Sequence, residues 1–540
     1  MARQDRQDGD QKRFVIGVDV GTGSVRAGLF DLSGRMLSVA RRDITVFREA
    51  GSFVEQSSTE IWDCVCSAIR EAVFIAGIDP AQVIGLGFDA TCSLVVMGEG
   101  GRLLGLGGGD PSRDIIVWMD HRAVTQAERI NAIGHDVLRY VGGRISPEMQ
   151  TPKLLWLKEN RPDVFGEAWQ FFDLADFLTW KATGDLARST CTVTCKWTYL
   201  AHEARWDESY FRSIGLGELA DEGFVRIGTQ MVEPGTRLGA GLNEEAASAM
   251  GLVPGTAIAA GMIDAHAGGI GTVGIGDNPK DNLAYVFGTS SCTMTSTTYP
   301  VFVPGVWGPY YSAMVPGLWL NEGGQSAAGA AIDQLMAFHP AAREASERAQ
   351  ASGKSLPAFL AEIATAQVET LSETVLAAGG LHVVPEFLGN RAPFADPHAR
   401  AVIAGLGMER DLDSLVALYI AGLCGIGYGL RQIIETQAKH GAGVKRIVIS
   451  GGAGSSPLVR QLLADACGME VVAPLADEPV LLGSAILGSV AGGAFVDVKG
   501  AMQALSAIAS VYEPARDKIG ELHAQRFEAF VKLQEVARAL

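Results

Sequence analysis

The chain has 540 residues and a mass of 57.0 kDa, enough for two to four domains or two large ones. Hydrophobic residues at 48% and charged residues at 19% exclude a disordered or fibrous chain, and 66 glycines beside only 21 prolines exclude a collagen-like one. A net charge of -17 argues against nonspecific binding to nucleic acid or an anionic membrane, but not against phosphate held by backbone N–H groups.

The opening MARQDRQDGDQKR lacks the apolar stretch of a signal peptide, and residues 1–12 read as a disordered tail. No uninterrupted apolar run approaches the ~20 residues of a membrane span. Eight cysteines without a CxxC pair fit a reducing cytoplasm rather than a disulfide or zinc scaffold. Phe14–Val20 reads as a buried strand. VRAGLF and RMLSVARR follow as two more strands around the turn Asp31–Gly34. Residues 58–76 carry a helical stripe of Ile61, Val65, Ala68, Ile69, Ala72 and Val73. Val83–Asp89 is again a buried strand. Helices are expected over 123–133, 152–160 and 243–251.

A second series begins near 257, with AIAAGMID as a strand ending in Asp264 and LAYVFGTSS as a strand entering a small-residue turn. Helices are expected over 325–338, 356–378, 412–438 and 457–467, the last after the strand and glycine turn of RIVISGGAG. VIGVDVGTGS and LAYVFGTSSC resemble each other, one per half. Two such turns suit a polyphosphate gripped from both sides, although strand–glycine–threonine turns are common in α/β proteins.

The spacing Gly21-x-Gly23 admits a dinucleotide fingerprint, but Arg26 stands at the third glycine position and a hairpin rather than a helix follows. Such a turn still presents the backbone, Thr22 and Ser24 to phosphate, with Asp19 suited to Mg²⁺ or its waters. Gly353-Lys354-Ser355 is no P-loop, since Arg348 replaces the required glycine. Asp264, ending an apolar strand before small residues, suits a general base or a helix N-cap; His266 is a second candidate for the base. Lys196 in TCKW is either a surface lysine or a ligand contact. Glu322 and Gln325 flank a glycine pair, and the Gly451-Gly452-Ala453-Gly454 turn lets a flat ligand approach the backbone.

Taken in order, these segments resemble the FGGY family of carbohydrate kinases over roughly residues 13–500. The carriers are VIGVDVGTGSVRAGLFD, PKLLWLKENRP, GMIDAHAGG, FGTSSC and SGGAGSSPLVRQLLAD; ARAVIAGLGMERD matches the C-terminal signature in part. The resemblance implies an α/β chain of two ribonuclease-H-like domains of the actin/hexokinase type with an active-site cleft between them. Residues 13–271 would form the N-terminal, sugar-binding domain, 272–500 the C-terminal, ATP-binding domain, and 501–540 C-terminal helices. GFDATCSLVVM, WMDHRA and CKWTYLA are similar to the pentulose kinases, D-ribulokinases in particular.

The implied activity is ATP-dependent phosphorylation of a pentulose, D-ribulose before L-ribulose, ribitol or another polyol, with Asp264 as base and Mg²⁺ near Asp19. Implied sugar contacts are Thr91, Lys196, Asp264 and Glu322, with Asp120 and Gln325 as further ones. Implied ATP contacts are Gly21, Thr22, Gly23, Ser24, Arg26, Gly288, Thr289, Ser290, Gly451, Gly452 and Ser456. The glycine–asparagine pair of some members is Ser456-Pro457 here, which weakens the inference about the base contacts. The expected partners are a small sugar and ATP, without nucleic acid or membrane, and a homodimer is a fold-level expectation. A noncatalytic actin-like nucleotide binder would share the phosphate turns but need neither Asp264 nor a sugar pocket.

Overall fold

A computed structural model describes residues 13–49, 51–106, 110–276 and 278–539. The expected tail over 1–12 lies outside the described residues.

Two sheets organise the chain on one plan. Phe14–Val20, buried at every position and apolar but for Asp19, is the axis of the first. It pairs antiparallel with Ser24–Asp31, which pairs with Met36–Asp43; on its other flank it runs parallel to Val83–Ala90. The hairpin closes where the Asp31 carboxylate accepts the Ser33 N–H at 2.9 Å. With strands over 24–43, the helix that a dinucleotide fingerprint requires is not there. Ser58–Ala76 is helical as its stripe predicts: Ser57 accepts the Glu60 N–H, Gly77 closes the helix at φ 64°, and Ile61, Val65, Ala68, Ile69 and Ala72 are buried against the hairpin.

Asn282–Phe287 is the axis of the second sheet. It pairs antiparallel with Ser291–Thr297, which pairs with Trp319–Gln325, and it runs parallel to Arg446–Ser450. The likeness of VIGVDVGTGS and LAYVFGTSSC is therefore a repeat of topology: buried strand, glycine turn, hairpin on one side, parallel strand on the other. Leu412–Lys439 is long and apolar enough to cross a membrane, but 72% of its most apolar stretch is buried within the domain. It is the core helix of the second half, packed on Pro457–Cys467.

The helix Pro479–Ala491 lies in sequence between two strands of the second sheet, Glu470–Pro474 and Ile508–Tyr512, yet packs on Phe14–Val20, Val83–Ala90 and the helix Asp264–Val273 of the first half. Glycine permits the approach: a Cβ on Gly17 would collide with the carbonyl oxygen of Leu481, and one on Gly87 with that of Ser484.

Several elements depart from expectation. AIAAGMID forms only the short strands Ala257–Ile258 and Met262–Ile263, and Asp264 opens the next helix. The helix expected from 325 starts at Gly329, because Trp319–Gln325 is held extended against Ser291–Thr297. The helix expected over 356–378 ends at Thr365 and resumes as a 3₁₀ turn from Leu371, where Thr370 and Glu373 form a capping box. The 501–540 region holds a strand, Ile508–Tyr512, on the edge of the second sheet, besides its helices.

Candidate active site

A cavity of about 650 Å³ opens between the halves. Asp19, Gly21, Arg26 and Asp264 face Gly451 and Gly452 across it. The topology explains the placement. Asp19 stands at the end of the first axis strand, and Asp264 on the first turn of its helix. Gly451, at φ 91°, turns the chain away from Arg446–Ser450. Nothing lies within 4 Å of a Cβ on Gly452, so its missing side chain leaves the backbone open to a ligand.

The remaining turn residues lie beside this wall. Gly21 N–H bonds Ser24 O at 3.0 Å, while the Thr22 hydroxyl is held by Trp118 Nε1 at 3.0 Å. Gly23 and Ser24 complete that turn. Gly288 and Thr289 follow the lining residue Val286, and their carbonyls accept the N–H groups of Gly329 and Ala328 at 3.0 and 2.9 Å. These bonds pin the second turn to a helix start, with Thr289 exposed and Ser290 half-buried. Ser456 caps Pro457–Cys467 without a side-chain bond. Arg460, from the same helix, lines the cavity and was not singled out from sequence.

Asp19 accepts from Arg26 Nε at 2.8 Å and from its Nη2, both at Oδ2. It also stands in register with Asp89 on the neighbouring parallel strand. Asp89 is fully buried and accepts the Ser484 hydroxyl at 2.5 Å; burial and then Asp19 hold its carboxyl well above the usual range. Asp264 rises to about 6, first through burial and then through Asp19, against the Ala265 N–H bond at 2.7 Å that favours its anion. An unperturbed aspartate titrates near ~3.9. Among the described residues no three His, Cys, Asp or Glu side chains form a metal cage. Mg²⁺ needs none: one or two carboxylates with phosphate and water suffice. Asp19 and Asp264, whose like charges disfavour each other, fit such a cation.

A second cluster adjoins Asp264. Lys196 ends the helix Thr190–Lys196, is 8% exposed, and sets its ammonium 5.4 Å from the Trp307 ring centre. Burial opposes its charge, yet Cys92 and Glu322 outweigh this and hold it well above the usual lysine value. The Cys92 thiol is itself pushed to about 12 by burial, so Glu322 is the partner that carries charge at neutral pH. Glu322 is pulled down to about 2: burial opposes, but His266, Lys196 and the Cys292 thiol prevail. Lys196 is therefore no surface lysine. Thr91, 4% exposed, lies where the two parallel strands end, its hydroxyl 3.1 Å from that of Ser93.

His266 is not free to act as base. Its Nδ1 lies 3.1 Å from Cys191 Sγ and its Nε2 3.5 Å from Glu322 Oε2. Two expected sugar contacts are also engaged elsewhere. Asp120 is wholly buried and accepts the Val54 N–H at 2.6 Å and the Arg122 guanidinium at 2.8 and 2.9 Å. Gln325 accepts from Tyr285 and Ser291 at 3.1 and 2.9 Å and donates to Ile426 O at 3.0 Å. These bonds engage both side chains within the protein.

Models for the FGGY family of carbohydrate kinases match the chain twice, the N-terminal domain over residues 14–271 and the C-terminal domain over 283–492. A human FGGY carbohydrate kinase domain-containing protein is 45% identical over 98% of this chain and 97% of its own length. A D-ribulokinase of Saccharomyces cerevisiae is 39% identical over 92% of this chain and 74% of its own. The crystal structure of a xylulose kinase from Brucella ovis superposes with a TM-score of 0.81 at 21% identity, covering 98% of this chain and 100% of that one. It shares the two-domain α/β fold, with the cleft between the halves.

Proposed function

The chain belongs to the FGGY family of carbohydrate kinases and is thereby an ATP-dependent sugar phosphotransferase; we propose that its acceptor is a pentulose, D-ribulose, and its product D-ribulose 5-phosphate. One observation carries this reading: Asp264, raised toward neutral pH, lines the cavity between the halves and adjoins the Lys196–Glu322 cluster. The likeness to a yeast D-ribulokinase supports the choice of sugar. A noncatalytic nucleotide binder has no use for the second cluster.

In this mechanism the ATP phosphates lie against Gly21, Arg26, Gly451 and Gly452. Asp264 takes the proton of the sugar's terminal hydroxyl as that oxygen bonds to the γ-phosphorus; the bond from phosphorus to the β,γ-bridging oxygen breaks and ADP leaves. Lys196 donates to sugar oxygens and Glu322 accepts from sugar hydroxyls, a mixed polar set that matches a polyol. Mg²⁺, when bound beside Asp19 and Asp264, neutralises phosphate charge. Cleft closure around the sugar would exclude water and limit futile hydrolysis.

The test is ATP consumption with D-ribulose, L-ribulose, D-xylulose, ribitol and glycerol. D-ribulose should have the highest kcat/KM. A preference for another acceptor overturns the sugar, and turnover of none of them overturns the reading.

A further inference from the structure

His266 connects three segments that the proposed reaction uses. It projects from the helix Asp264–Val273, two residues after the base. Its Nδ1 meets Sγ of Cys191, on the first turn of the helix that ends in Lys196, at 3.1 Å. Its Nε2 meets Oε2 of Glu322, on the second-half strand Trp319–Gln325, at 3.5 Å. Cys191 Sγ also accepts the Ile263 N–H at 3.4 Å, next to the base. The ring is 1% exposed, so substrate does not reach it.

A glutamate carboxylate rotates readily about its last torsion and has about four lone-pair sites. Here Oε2 is met by the imidazole and Oε1 by the Cys292 thiol at 3.4 Å. A thiol is a weak donor, so the imidazole is the group able to hold the carboxylate plane. An Nε2–H donor serves Glu322 whether Nδ1 donates to the sulfur or accepts from it.

We infer that His266 is a positioning residue: it aims Glu322 at the sugar and, through Cys191, keeps that carboxylate in fixed relation to Lys196 and Asp264. The inference rests on the sugar-kinase reading above. It assigns sugar recognition to a ring that touches neither sugar nor nucleotide.

The test compares His266→Asn with His266→Gln, using whichever acceptor the wild-type enzyme turns over best. Glutamine sets its amide nitrogen near the position of Nε2 and keeps the donor to Glu322; asparagine is too short. His266→Asn should raise the KM for sugar on the order of ten- to a hundredfold, the scale of a displaced orienting group, and leave the KM for ATP unchanged. His266→Gln should restore most of the loss. Added to Glu322→Gln, His266→Asn should cost little more than Glu322→Gln alone. Equal losses in the Asn and Gln variants, parallel rises in both KM values with a lowered Tm, or additive effects in the double variant would reduce His266 to packing. A wild-type enzyme that phosphorylates no acceptor overturns the sugar-kinase reading, and this inference with it. A normal wild-type panel with an unchanged sugar KM in His266→Asn overturns only the role of His266.

Discussion

Arg26 Nη1 lies 2.5 Å from Glu478 Oε2, while the same guanidinium holds Asp19. The arginine thus divides itself between two carboxylates on the wall of the cavity that the ATP phosphates would enter. Incoming phosphate competes for the face that Glu478 occupies. Glu478→Gln should lower the KM for ATP several-fold at low salt and less at about 0.5 M salt, where charge is screened. Its Tm should barely move, because both side chains are about a third exposed. Arg26→Ala should raise the KM for ATP about tenfold or more. An unchanged or higher KM for ATP in Glu478→Gln would show that Glu478 itself serves the nucleotide.

Asp264 must be ionised to accept a proton, and its folded value is about 6. Activity should therefore be full above that pH and fall about tenfold per unit well below it. Asp19 supplies part of the upward shift by like charge, so Asp19→Asn should move the acid limb to lower pH even as it weakens nucleotide use. Asp264→Asn should cut kcat about a hundred- to ten-thousandfold while ATP still binds. A pH–rate profile with an acid limb near 4, or near-normal turnover in Asp264→Asn, would remove it as the base.

Asp120 holds a buried arginine. Arg122 makes its other ion pair with Glu55 at 2.9 Å, so Asp120→Asn leaves the cation only partly compensated. The loss should be about 3 kcal/mol, near the lower end for a broken buried pair, and should appear as a lower Tm with the sugar KM unchanged. A raised sugar KM at normal Tm would return Asp120 to the pocket.

How much of this was legible depended on the range of each cause. Phe14–Val20, Ser58–Ala76 and Pro457–Cys467 are readable because dense apolar runs and local caps decide them. The phosphate turns are readable because glycine, threonine and serine must be contiguous there. Arg26 and Glu478 are 452 positions apart, and nothing local to either announces the pair. Asp120 and Asp264 look alike as acids inside apolar motifs. Only the fold reveals that one faces an arginine and the other a cavity. Lys196 and His266 likewise acquire their roles from strands that arrive more than fifty residues later.

The glycine excess has a share that no ligand explains, and it makes the last prediction. Gly87 lies in the strand Val83–Ala90, and Pro479–Ala491 presses on it so closely that any Cβ meets the Ser484 carbonyl. Ser484 also donates to Asp89. Gly87→Ala should therefore push the helix off the sheet, at a cost of about 1–3 kcal/mol or more because backbone rather than a side chain must yield. It should also change the KM for ATP, since Glu478 and Pro479 at the start of that helix line the cavity. Gly77→Ala is the control. There φ is 64° but no atom stands within 4 Å of the added carbon, so the cost is the left-handed backbone alone, about 1–2 kcal/mol, with ATP use unaltered. Thermal melting and ATP titration of the two variants separate close packing from backbone strain; a Gly87→Ala protein with wild-type Tm and ATP affinity would mean that the helix does not bear on the site.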